Sequence, residues 1–158
     1  MSYENYLTFL KDGKNQLISK HYSLYDTCNS VMAQAHLIDN TIPVELRPNA
    51  ILAIVKILEP CCSYFKTRPD VSCIFRCPDL NKLVGGVSTS QHTKAQAVDF
   101  TIVGVTLIQI AYYIRHNLEF DQLILEQINT VKWCHCSYSS VKNRKEVLKF
   151  NGIKYVSI

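Results

Sequence analysis

The chain has 158 residues, of which 47% are hydrophobic and 19% charged, and it carries a formal net charge of +4. That length suits a single domain over residues 1–158, able to bury a core without disulfides or a structural metal, and the composition excludes a disordered or collagen-like chain. Lys142, Arg144, Lys145 and Lys149 form the one basic cluster; no aromatic interleaving or recognised module accompanies it, so it reads as a solvated face and no nucleic-acid partner is expected.

At the N-terminus, MSYENYLTFLKDGKNQ lacks a basic segment leading into an apolar stretch and a small-residue cleavage site, so no secretory signal is expected. Ser23 and Asp26 make a capping box, and Leu24, Cys28, Val31, Ala35 and Ile38 recur at helical spacing, which predicts a helix over about 24–37. Asn40 to Pro43 reads as a turn. AILAIVKILEPCCSYF, apolar nearly all round, predicts a buried central helix bent or ended near Pro60, so the part over about 24–60 is helical.

Thr67 to Asp70 breaks the chain, VSCIFR reads as a short strand, and CPDLNKLVGG holds a helical turn closed by two glycines. AVDFTIV is a strand by its β-branched and aromatic content, and residues 105–116 suit a helix with basic residues at its end. The longest uncharged run, Phe100 to Ile114, is too short to span a membrane, so no transmembrane segment is expected. FDQLILE and VKWCHCSY follow as strands, and EVLKFNGIKYVSI as a hairpin on a two-residue Asn151-Gly152 turn. The order of elements predicts an α+β domain, with helices packed on a central antiparallel or mixed sheet that lies within about 71–158.

Seven cysteines form an odd set, and without a signal peptide they argue for reduced thiols, most of them small core residues. Cys73 and Cys77 with Cys134 and Cys136 offer an alternative zinc cluster, although structural zinc ligands usually come as two closely spaced pairs.

Alternation along VKWCHCSY sets Trp133, His135 and Ser137 on one face and Cys134 and Cys136 on the other. On AVDFTIV it sets Ala97, Asp99 and Thr101 against Val98, Phe100 and Ile102, so an acid lies where a strand ordinarily buries valine. Two imidazoles and a carboxylate suit a catalytic zinc ion, which takes three protein ligands and keeps a fourth position open. His92, Asp99 and His135 meet that requirement. Glu126, at the end of FDQLILE, is the carboxylate available as general base, against a plain reading as a solvated strand end.

SQHTKAQAVDF resembles the S-x-H-x-x-G-x-A-x-D signature of the zinc D-alanyl-D-alanine carboxypeptidase family, peptidoglycan peptidases that include bacteriophage endolysins and share their fold with the hedgehog signalling domain. RCPDLNKLVGG, FDQLILE and WCHCSY resemble further family segments in the same order, and weaker similarity reaches back to about Asn29 and forward through NRKEVL. The resemblance implies zinc held by His92, Asp99 and His135, Glu126 as general base, and Arg76 binding substrate and stabilising the oxyanion. Ser90 then lines the substrate pocket or only forms the turn before His92, and Trp133 walls the cleft or packs in the core. Ala95 stands where the family has glycine. If that glycine serves a positive φ, alanine costs roughly 1 kcal/mol; if it serves close packing, a methyl is tolerable.

The function so implied is a zinc peptidase, carboxypeptidase or endopeptidase, acting on the peptidoglycan stem peptide as a monomer. With no signal, it is expected to be made in a cytoplasm and to reach the wall after release, as a phage lysis enzyme does. The alternative is a non-catalytic, zinc-stabilised binding domain of the same fold.

Overall fold

One helical path runs from Arg47 to Phe65 with a change of gauge in the middle. The computed structural model describes residues 2–12, 16–150 and 152–158. Its helices are α1 (Tyr3–Asp12), α2 (Leu24–Cys28), α3 (Val31–Ala35), α4 (Arg47–Ala53), α5 (Glu59–Phe65), α6 (Pro78–Leu83) and α7 (Leu107–Asn117). Its strands are β1 (Asp70–Cys73), β2 (Ala97–Thr101), β3 (Gln122–Ile128), β4 (Val131–Ser137), β5 (Glu146–Phe150) and β6 (Tyr155–Ser157). None of the described helices is long and apolar enough to cross a membrane.

Between α4 and α5 lies a π turn, Ile54–Leu58, in which the Glu59 N–H reaches back to the Ile54 carbonyl. Pro60 follows at once. A proline has no N–H to give and its ring would strike the carbonyl four residues back; the wider turn relieves that clash and lets the helix continue where the sequence predicts a bend or an end. The helix is also one-sided: Ile54, Ile57, Leu58 and Cys61 are fully buried, whereas Val55, Lys56 and Tyr64 face solvent.

The helix expected over about 24–37 is two short ones. Asp26 caps Ser23 as predicted, accepting from its N–H at 2.7 Å and its hydroxyl at 2.8 Å. The first helix ends at Cys28, where Asn29 turns extended, and Ser30 caps the second by accepting from the Ala33 N–H. Local side-chain caps therefore win over apolar spacing. α1, which the sequence reading passed over, packs Tyr6 against Cys28 and donates the Tyr6 hydroxyl to the Cys28 carbonyl at 3.0 Å.

The sheet is mixed, in the order β1-β2-β4-β3-β5-β6. Every pairing is antiparallel except β3 with β5. The final hairpin forms with Phe150 opposite Tyr155, so its connection spans residues 151–154 rather than two residues. Asn151 lies outside the described residues; Gly152 takes a positive φ of 90°.

One face of the sheet closes the core. Val98, Phe100, Ile102, Leu123, Cys134 and Cys136 pack there with Ile54, Ile57, Leu58 and Cys61 and with Ile110 and Ile114 of α7. Each fully buried large side chain contributes about 1.5–3 kcal/mol. That burial anchors the strands and leaves their opposite face free for polar groups.

Candidate metal centre

Strand alternation delivers the polar face. Asp99 on β2 lies directly opposite His135 on β4, and both point away from the core that holds Val98, Phe100, Cys134 and Cys136. On the neighbouring strand Glu126 lies opposite Trp133, two residues from His135, and so shares the same face. His92 arrives on a 3-10 turn, Gln91–Lys94, that leads into β2.

The donor atoms converge. His135 Nδ1 is 2.8 Å from Asp99 Oδ1, His92 Nε2 is 3.1 Å from Asp99 Oδ2, and the two imidazole nitrogens are 3.2 Å apart. Ligands about 2.0–2.1 Å from a tetrahedral centre stand about 3.3 Å from one another, and the two imidazole nitrogens are spaced in that way with the Asp99 carboxylate beside both, one oxygen toward each ring. All three side chains are buried. His92 turns Nδ1 to the Ile74 carbonyl at 2.9 Å, which places the proton there and leaves Nε2 to face Asp99 and His135. The donor set therefore fits a zinc ion.

Electrostatics agree with a cation at this point. Burial draws His92 down, but the Asp99 carboxylate and the Cys73 thiol outweigh it and push the imidazole up to about 10. Burial would raise Asp99, yet the charge of His92 and hydrogen bonds from both imidazoles hold it well below the usual carboxylate range. His135 is lowered by burial, helped by the charges of His92 and Arg76, against the pull of Asp99. The pocket thus keeps one positive charge beside Asp99, which a metal ion can take over.

Arg76 reaches the same carboxylate, with Nη2 3.6 Å from Asp99 Oδ2, and its buried Nε has no hydrogen-bond partner among the described residues. Glu126 is pushed up to about 7, first by burial and then by the charge of Asp99, with His92 and Arg76 opposing. That value suits a group that must both take and return a proton near neutral pH. Ser90 caps the turn, its hydroxyl accepting from the His92 N–H at 3.4 Å. Trp133 is half-buried on the site face, outside the core cluster.

Two contributions were not foreseen in the sequence. A bulge between Val71 and Cys73 lets Val71 pack on the core while Cys73 pairs with Asp99 and turns its Sγ to 3.4 Å from His92 Nδ1. Cys73, His92 and Asp99 thereby offer donors within 4.8 Å of one another. The thiol, however, approaches the nitrogen that the Ile74 carbonyl already occupies, so it steadies the ring rather than joining the converging set. The second is Asp121, whose buried carboxylate accepts from Gln91, next to His92, at 2.9 Å and from the Arg144 backbone and guanidinium at 2.6–3.0 Å. The alternative cysteine cluster does not form, because Cys134 and Cys136 lie in the core behind the sheet.

A model of the family described as Peptidase M15 matches residues 26–137, most of the chain and every residue of the converging set. The chain belongs to this peptidase family. The family is that of the zinc D-alanyl-D-alanine carboxypeptidase-like peptidases, so the protein is a metallopeptidase, with a peptide-like substrate at the family level. A search of curated proteins finds none that matches. In this peptidase α1 and the β5–β6 hairpin lie outside the matched span.

A second group, His21, Glu59 and Cys62, also brings donors within 4.8 Å. There Glu59 already accepts from the Ser19 hydroxyl, the His21 N–H and the His21 ring, and burial raises the Cys62 thiol. Its chemistry is that of a satisfied structural cluster.

Proposed function

We propose that the protein is a zinc-dependent peptidoglycan hydrolase, cutting the stem peptide as a carboxypeptidase or endopeptidase, and that it serves as a phage lysis enzyme. The observation that carries this reading is the convergence of His92, Asp99 and His135 on one sheet face with Arg76 and Glu126 beside them.

His92 Nε2, His135 Nδ1 and an Asp99 oxygen would hold the metal. A zinc ion there supplies Lewis acidity and a water acidified toward neutral pH. Glu126 takes a proton from the attacking water and returns it to the leaving amine. Arg76 offers its guanidinium to the negative charge that develops on the scissile carbonyl oxygen, while the Asp99 contact keeps that side chain in place. Ser90 and Trp133 line the approach. The chain acts as a single domain and a monomer, made in the host cytoplasm and active on the wall once released.

Metal analysis of the purified protein and clearing of a suspension of purified cell walls test this together. About one zinc per chain and clearing that is lost in His92→Ala are expected. A metal-free protein, or clearing unchanged by that substitution, overturns the reading. Mass spectrometry of the released fragments then identifies the bond cut.

A further inference from the structure

The β5–β6 hairpin, outside the family match, completes a row of side chains across the site face. Trp133 on β4 lies opposite Glu126 on β3, Glu126 opposite Phe150 on β5, and Phe150 opposite Tyr155 on β6. Directly paired residues share a face, so Phe150 and Tyr155 stand on the Glu126 side of the sheet. Adjacent strands are about 4.8 Å apart, which puts the Tyr155 backbone about 10 Å from that of Glu126, within reach of a long side chain and a bound peptide between them.

The two rings are held as a pair, 4.6 Å between centroids and 30° from parallel. Phe150 is half-buried, whereas Tyr155 keeps 54% of its surface exposed. The Tyr155 hydroxyl has no hydrogen-bond partner among the described residues. Its phenol is raised by burial and by the charges of Glu126 and Asp99, the two carboxylates on the same face of the sheet. A ring fixed on one side and open on the other, with a free donor at its tip, is suited to contact a substrate.

We infer that Tyr155 is a substrate-contacting residue of this peptidase, its ring covering an apolar face of the peptide beside the scissile bond and its hydroxyl donating to a peptide carbonyl. The inference rests on the peptidase reading above. It assigns the C-terminal hairpin a part in choosing the substrate, with Phe150 as the residue that positions the ring.

Binding is measured in the Glu126→Gln protein, which retains substrate, using soluble muropeptides and the fluorescence of Trp133, the chain's single tryptophan. Tyr155→Ala is expected to weaken binding roughly tenfold and Tyr155→Phe roughly threefold, separating ring from hydroxyl. In the otherwise unaltered enzyme the same changes raise KM and leave kcat within about twofold. Tyr112→Ala, at an aromatic 66% exposed on α7, serves as the control with unchanged binding. Unchanged affinity in Tyr155→Ala, with the far-ultraviolet spectrum and metal content preserved, overturns the assignment alone. Failure of the Glu126→Gln parent to bind any muropeptide, together with a parent enzyme that cuts none, overturns the peptidase reading on this substrate and the assignment with it.

Discussion

His92 Nδ1 lies 2.9 Å from the carbonyl of Ile74, and this contact selects which nitrogen of the ring is free. Against its burial, Asp99 and Cys73 raise the imidazole and so favour a second proton, on Nε2, which zinc has to displace. Zinc binding near pH 7 is expected to release about one proton, read by calorimetry in buffers of different ionisation enthalpy, and to weaken as pH falls. His92→Ala should leave less than about a tenth of the metal bound at equal free zinc.

Glu126→Gln keeps the shape of the side chain and removes the base. Hydrolysis should fall by about 10²–10⁴-fold with zinc content unchanged. The base form is the active one, so activity is lost as pH drops through the Glu126 pKa. Its own surroundings set that near about 7, and a bound cation draws it lower. The acid limb of the pH–rate profile should therefore lie at or below about 7 and vanish in the variant.

Arg76→Lys retains a charge but loses the planar fork beside Asp99. Metal content should be preserved while kcat/KM drops by about 10²-fold or more, the usual loss when one donor to the developing oxyanion is removed. Parallel loss of metal and rate would instead make Arg76 a support for Asp99.

Ala95 holds a left-handed conformation, φ 54° and ψ 32°, and is fully buried. The glycine of the family signature thus serves a positive φ. Relief of about 1–2 kcal/mol of backbone strain in Ala95→Gly is offset by about 0.8 kcal/mol of lost methyl burial and about 0.5–1 kcal/mol of extra chain entropy. The net change should stay within about 1 kcal/mol, a Tm shift below about 4 °C. Ala95→Val, branched and crowded, should lose more than about 2 kcal/mol.

Asp121 is held low by hydrogen bonds from Arg144, against the effect of its burial, with Gln91 assisting. A carboxylate depressed in the folded state stabilises above its unfolded pKa of about 3.9, and that contribution disappears as pH falls through the folded value. Asp121→Asn should lower stability by about 1–3 kcal/mol near pH 7, discounted because Arg144 is half exposed, and the gap should close in acid unfolding curves below about pH 4.

What could be read in advance was what repeats along the chain. Strand alternation separated Asp99 and His135 from Val98 and Cys134, and the capping box at Ser23 and Asp26 marked a helix start. The features that escaped depend on contacts distant in sequence or on single-residue irregularities. The bulge at Ser72 reverses a side-chain face, the π turn absorbs Pro60, and the pairing of β3 with β5 sets Phe150 and Tyr155 beside Glu126. The helical spacing of Tyr3, Tyr6 and Leu7 is a short local signal beside the polar residues of the same segment, and it too marks a helix, α1.

The strand order also bears on when the chain becomes competent. β2 is emitted from the ribosome before β3, yet besides β1 it pairs with β4, so Asp99 meets His135 only after the chain through β3 and β4 has been made and β4 has docked beside it. Metal capture thus reports the pairing of β2 with β4, and partial unfolding that parts these strands separates Asp99 from His135 and silences the peptidase.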